Sequence, residues 1–221
     1  MAGNGIRLVL DVLFPPKCVF CEAILDHSSM RSVCPPCEAA LPWLKERQAE
    51  QKLEFISLCV SALRYQDAVV NSIRRYKFKG REGYAATYGT LLAACVQAHL
   101  AGRYDRISWV PLSPARRRER GYDQAMLLAK ATALALDSVA VETLRKVRHT
   151  EAQSSLDAES ARRANVLDAY EITDAALFTG QRILLVDDVV TTGATLSECA
   201  RLLRTFGATD VTCATLARAH G

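Results

Sequence analysis

The chain has no apolar run near the roughly 20 residues that a membrane-spanning helix needs, so no membrane anchor is expected. Its apolar opening stretch, Ile6 to Phe14, is interrupted by Arg7 and Asp11. No small-residue cleavage site follows it, which argues against a secretory signal. Internal repeats and low-complexity tails are also missing. So are the G-x-x-x-x-G-K-[ST] and G-x-G-x-x-G loops that cradle nucleotides and dinucleotides. What remains is the expectation of a soluble cytoplasmic protein.

What is there is ample material for a core. Of 221 residues, 50% are hydrophobic and 24% charged, the balance of a folded chain and not of a disordered one. The length suits one or two domains. The net charge of +4 is mild but unevenly placed. Between residues 103 and 120, Arg103, Arg106, Arg116, Arg117, Arg118 and Arg120 face only Asp105 and Glu119. Such a stretch is either a solvated loop or a receptor for phosphate, pyrophosphate or nucleic acid.

The eight cysteines form two groups. Cys59, Cys95, Cys199 and Cys213 stand singly in apolar surroundings and are expected to behave as small buried hydrophobes. Cys18, Cys21, Cys34 and Cys37 make two Cys-x-x-Cys pairs twelve residues apart. In a reducing compartment that spacing predicts metal ligands and not disulfides. Each two-residue turn aims both thiolates at one ion, and two turns complete a closed tetrahedral Zn²⁺ site. A closed site organises the fold and leaves no position for chemistry. Residues 1 to 40 hold three Lys/Arg against four Asp/Glu, so this module is not a phosphate-gripping finger.

Along the chain, Ile6, Val9, Leu10 and Leu13 fall at helical spacing before Pro15-Pro16. The cysteine module is too small to bury a core of its own, and the charged run Lys45 to Glu54 marks a domain boundary between about 40 and 57. Beyond it, strands are expected at 59–63, 107–112, 138–144, 182–187 and 210–216. Helices are expected at 67–78, 84–100, 124–136 and 196–206. This alternation predicts an α/β domain with a mostly parallel sheet.

The most informative stretch is Ile183-Leu184-Leu185-Val186-Asp187-Asp188, followed by Val189-Val190-Thr191-Thr192-Gly193-Ala194-Thr195. A hydrophobic strand ends in two carboxylates, and a small hydroxyl-rich loop leads into a helix with its apolar face at Leu196, Cys199, Ala200 and Leu203. Ligands of open α/β sheets sit beyond the carboxyl ends of the strands. A loop at a helix N-terminus offers free N–H groups to a phosphate, and adjacent carboxylates can accept vicinal sugar hydroxyls. The parts describe a receptor for a ribose 5′-phosphate.

Asp187-Asp188 with Thr191 to Thr195 resembles the phosphoribosyl pyrophosphate motif of type I phosphoribosyltransferases. The cysteine pairs narrow the resemblance to the ComF/GntX-like branch. Tyr76-Lys77-Phe78-Lys79-Gly80, Arg120-Gly121-Tyr122-Asp123-Gln124-Ala125, Arg145 to Gln153 and Arg162-Arg163-Ala164-Asn165 support the same branch. One departure is Asp123, where the pattern usually has Asn.

The resemblance implies a type I phosphoribosyltransferase-like parallel sheet flanked by helices over residues 55–221. Before it, residues 1–45 would hold a helix and a zinc-ribbon-like module with structural Zn²⁺ on Cys18, Cys21, Cys34 and Cys37. Asp187 and Asp188 would contact the ribose, and Thr191, Thr192, Gly193, Ala194 and Thr195 the 5′-phosphate. Pro111, Leu112 and Ser113 would form the pyrophosphate loop, and Mg²⁺ would bridge substrate oxygens. Arg145 and Arg148, on a segment implied to close over the site, would join the other arginines in stabilising the leaving pyrophosphate. Purine-type relatives place a carboxylate where this chain has Thr191, which cannot act as a base at neutral pH. The resemblance therefore leaves two readings: a Mg²⁺-dependent transferase of unknown acceptor, or an accessory factor of DNA uptake with single-stranded DNA or a helicase as partner.

Overall fold

A computed structural model describes residues 15–26, 32–147 and 169–219. The helix expected over 6–13, Arg148 and the 162–165 motif lie outside the described residues. The main sheet has five strands: β1 (Glu50–Leu53), β2 (Ile56–Arg64), β3 (Arg106–Trp109), β6 (Arg182–Val190) and β7 (Asp210–Arg218). Their order is β1-β2-β7-β6-β3, parallel throughout except that β1 runs antiparallel to β2. Two further strands, β4 (Leu144–Lys146) and β5 (Tyr170–Ile172), pair as a separate antiparallel ribbon.

Successive side chains of a strand point to opposite faces, and both faces of this sheet are covered, as a continuous apolar run such as Ile183 to Val186 requires. Leu184 and Val186 belong to one core, with α2 (Asp67–Phe78), α3 (Tyr84–Leu100) and α5 (Gln124–Ala135). Ile183 and Leu185 belong to the other, with α6 (Ala194–Thr205). Helix α2 buries Val69, Ser72, Ile73 and Tyr76, one stripe at helical spacing, and α6 buries Leu196, Cys199, Ala200 and Leu203 likewise. Gly89 lets α3 approach α5, since a Cβ there would lie 2.5 Å from Ala131 Cβ.

The cysteine module, which includes the short α1 (Pro35–Ala40), forms no core cluster of its own among the described residues. Val19, Phe20, Leu25 and Val33 join the first core of the α/β layer, where Phe20 packs 6.2 Å from the Tyr88 ring. Burying such a side chain contributes roughly 1.5–3 kcal/mol.

Two expectations are corrected here. Residues 138–144 do not form a strand: only Ala140 bridges Ile107, and Leu144 turns away into β4. Past Val141 the backbone bonds the β5 segment instead, the Thr143 carbonyl accepting the Thr173 N–H at 3.0 Å. The charged run 45–54 contains β1, an edge strand of alternating exposed and half-buried residues. Charges on an edge strand hide its strand character and protect the edge from pairing with other chains.

Candidate functional site

Strand β6 continues past its neighbour. The last residue of β3, Trp109, lies opposite Val186, and the Val110 N–H bonds the Val186 carbonyl at 3.0 Å. From Asp187 onward β6 pairs only with β7 among the described residues, Asp187 lying opposite Thr215. This leaves a crevice between the end of β6 and the loop after β3, where α/β sheets place ligands.

Because β6 runs on to Val190 and does not stop at the acids, Asp187 and Asp188 point to opposite faces of the sheet. Asp188 is 3% exposed and meets Lys77 of α2, with Nζ 2.6 Å from Oδ1. Its Oδ2 is buried without a hydrogen-bond partner among the described residues. Asp187 accepts the Asp188 N–H at 2.8 Å. Burial, reinforced by the Asp188 charge and opposed by Lys77, pushes the Asp187 carboxyl up to about 8. Lys146 of β4 and Tyr170 of β5 stack at 5.0 Å and lie close enough to feel the Asp187 charge.

The 191–195 loop leads into α6. Thr191 is exposed, Thr192 half-buried and Gly193 buried. Gly193 takes φ +81 as the N-cap, and a Cβ there would sit 2.3 Å from Leu53 Cδ2. Only glycine suits both the left-handed conformation and the close approach of β1. Glycine has no side chain with which to cap the first N–H groups of the twelve-residue α6.

In the loop after β3, Pro111 and Ser113 are buried and Leu112 half-buried. Ser113 caps α4 (Pro114–Arg120), accepting the Arg116 N–H at 3.4 Å, and Gly121 ends that helix at φ +83. The Leu112 N–H is donated to Asp123 Oδ2 at 2.8 Å. Asp123 Oδ1 accepts the Met126 N–H at 3.1 Å, so the acid that departs from the usual Asn is the N-cap of α5.

The arginine stretch does not form one surface. Arg103 and Arg106 lie at the amino end of β3, beside the Asp105–Arg182 pair at 2.7 Å. Arg116 to Arg120 lie beyond its carboxyl end, roughly 10 Å or more away. Arg120 sits 4.8 Å over the Phe78 ring, with Nη1 buried and no hydrogen-bond partner among the described residues. Arg145 is exposed on β4 and bonds Glu171 across the ribbon at 2.8 and 3.1 Å, so it is not brought into the crevice. Lys77 was not singled out from sequence as a site residue, although it stands within the Tyr76-Lys77-Phe78 motif.

The four sulfurs of Cys18, Cys21, Cys34 and Cys37 lie within 4.8 Å of one another, a donor set that fits one zinc. Burial would raise the Cys18 thiol, but N–H groups of Cys21, Cys34 and Phe20 outweigh it and hold the value down to about 7. Backbone donors aimed at a sulfur suit a thiolate ligand. The other four cysteines are buried, as expected.

A double zinc ribbon domain matches residues 9–49 and a phosphoribosyl transferase domain residues 123–221. Competence protein F of Haemophilus influenzae is 31% identical over 210 residues, 92% of this chain and 85% of that protein. DNA utilization protein YhgH of Salmonella typhimurium is 34% identical over 193 residues, 81% of each. Competence protein ComFC of Bacillus subtilis is 26% identical over 86% of this chain and 74% of its own. Among solved structures, glutamine phosphoribosylpyrophosphate amidotransferase from B. subtilis overlaps 64% of this chain and 30% of its own, at 21% identity and TM-score 0.44. With a zinc-ribbon module docked on a phosphoribosyltransferase-type sheet, and relatives aligned over most of both, the chain belongs to the family of competence protein F, ComFC and the DNA utilization proteins YhgH.

Proposed function

We propose that the chain binds phosphoribosyl pyrophosphate with Mg²⁺ in the crevice at the end of β6 and acts as a phosphoribosyltransferase. The observation that carries this reading is the junction itself. A buried carboxylate, Asp188, with one oxygen unpartnered among the described residues, stands five residues before the Gly193 cap of α6. A ribose lying along the open edge of β6 beyond Val186 would have its hydroxyls accepted by Asp187 from one face and Asp188 from the other. The N–H groups at the start of α6, with the Thr191 and Thr192 hydroxyls, would hold the 5′-phosphate. Arg120, whose buried Nη1 has no partner among the described residues, would face the pyrophosphate.

Mg²⁺ is a hard cation suited to carboxylate and phosphate oxygens, and when bound it supplies charge neutralisation of the pyrophosphate. The chain's own residues orient the ribose, anchor its phosphate and stabilise charge on the departing pyrophosphate. Thr191, exposed and without acid–base capacity near pH 7, cannot take the acceptor's proton, which would pass to solvent or to an oxygen of the departing pyrophosphate.

Pyrophosphate release across a panel of bases and amines tests the transferase. Calorimetry with phosphoribosyl pyrophosphate and Mg²⁺ tests the pocket, where Asp188→Ala should weaken binding at least tenfold. A second reading, accessory work on DNA, is favoured by the relatives' names and by Arg117 and Arg118, exposed on α4 beside the crevice. Under it, single-stranded DNA binds with steep salt dependence and is lost in Arg117→Glu/Arg118→Glu but kept in Arg103→Glu. Displacement of that DNA by phosphoribosyl pyrophosphate would make the two sites one.

A further inference from the structure

Helix α2 carries two sets of contacts that neither the metal site nor the crevice explains alone. On one side it grips the zinc knuckle. The Ser72 hydroxyl donates to the Val19 carbonyl, and Arg75 Nη2 donates to the carbonyls of Val19 at 3.0 Å and Phe20 at 2.7 Å. Val19 and Phe20 are the two residues between Cys18 and Cys21, so these carbonyls belong to the metal-binding turn itself. On the other side, two residues after Arg75, Lys77 reaches Asp188 at 2.6 Å.

The end of the helix is clamped in between. Tyr76 donates its hydroxyl to the Gln124 carbonyl at 2.8 Å, and its own carbonyl accepts the Tyr122 hydroxyl. The two sequence motifs around Tyr76 and Tyr122 therefore meet each other beside the crevice. From Ser72 to Lys77 the helix rises only about 7.5 Å, and a hydrogen-bonded helix transmits such a displacement as a rigid rod. Lys77 supplies the counter-charge of a carboxylate that is 3% exposed, holding one oxygen and leaving the other without a partner among the described residues. Without that cation the buried carboxylate loses both its charge partner and its orientation.

We propose that Lys77 is a positioning residue of the ribose pocket, set in place by the zinc knuckle through Ser72 and Arg75 of the same helix, so that zinc binding and phosphoribosyl-ligand binding are thermodynamically linked. This rests on the pocket assigned under the proposed function. Linkage is reciprocal: if zinc holds Lys77 where the ligand needs it, the ligand must in turn strengthen retention of zinc.

The test uses the zinc-loaded full chain with phosphoribosyl pyrophosphate and Mg²⁺ as probe. Calorimetry gives affinity for the probe, and equilibrium competition with a chromogenic chelator gives the zinc affinity with and without the probe. Lys77→Met is expected to weaken binding about tenfold or more and Lys77→Arg to restore most of it. Arg75→Met, with Lys77 intact, is expected to weaken binding of the probe several-fold and to lower the zinc affinity. The probe should raise the zinc affinity at least about fivefold in wild type and leave it unchanged in Lys77→Met. Wild-type affinity in Lys77→Met, or equal protection of zinc by the probe in both proteins, overturns the inference while leaving the pocket standing. Should Lys77→Met fail to fold, unaltered affinity in Arg75→Met overturns it instead. Absence of binding by wild type overturns the pocket assignment and this inference with it.

Discussion

The carboxylate of Asp123 bonds the Leu112 N–H at 2.8 Å and, through its other oxygen, the Met126 N–H at 3.1 Å. One side chain thus ties the loop after β3 to the first turn of α5. Asparagine has a single acceptor oxygen and can keep only one of these bonds. Asp123→Asn is expected to retain the cap and cost about 1 kcal/mol, and Asp123→Ala about 2 kcal/mol. Urea unfolding of the two variants measures both, and equal stability of Asn and Ala at this position would contradict the two-bond arrangement.

Gly193 combines a left-handed backbone with a close contact from β1. Gly193→Ala is expected to cost about 1–2 kcal/mol for the φ value, plus a further loss for displacing Leu53. Leu53→Ala added to it should recover the contact part and not the backbone part. A double-mutant cycle followed by denaturant melts separates the two.

Asp187, raised by burial to about 8, makes ligand binding depend on pH. For stability, a raised carboxyl favours the fold fully below its unfolded value near 4, and that contribution is lost as pH rises through about 8. For the ligand the sign is opposite, since accepting ribose hydroxyls needs the ionised form. Affinity for phosphoribosyl pyrophosphate with Mg²⁺ should increase about fivefold between pH 7 and 8 and by less than about twofold above that. Calorimetry in buffers of different ionisation enthalpy should detect the released proton, and Asp187→Asn should abolish both effects.

One zinc per chain is expected, lost on Cys34→Ala and on chelation, with metal analysis as the check. Hydrogen exchange of residues 15–26 and 32–40 should rise before that of the sheet, because metal and local folding are coupled. The module shares the core of the α/β layer, so Phe20→Ala should lower global stability by about 3–5 kcal/mol and not merely loosen the module.

Much of this was legible in the sequence where the physics is local. The boundaries of α2 and α3 follow from apolar spacing, whereas α4, bracketed by Pro114 and Gly121, is mostly arginine and has no apolar stripe to mark it as a helix. Strand β1 is hidden in the sequence for a related reason: an edge strand with Glu50 and Lys52 facing outward has the composition of a linker. The departure at Asp123 has its reason in the fold, where its two oxygens accept the Leu112 and Met126 N–H groups from separate segments.

By itself the sequence determined the metal ligands, the strand–loop–helix at 182–205 and the alternation that makes the sheet, since two-residue turns, residue period and helix caps are settled by near neighbours. The tertiary structure decided which charges meet. It sent Lys77 to Asp188 and Arg145 to Glu171, and it parted Arg103 and Arg106 from Arg116 to Arg120 along β3. Those outcomes depend on the strand order β1-β2-β7-β6-β3 and on a helix wedged between zinc knuckle and crevice. Coulomb attraction acts across whatever distance the topology leaves, and no spacing along the chain encodes that distance.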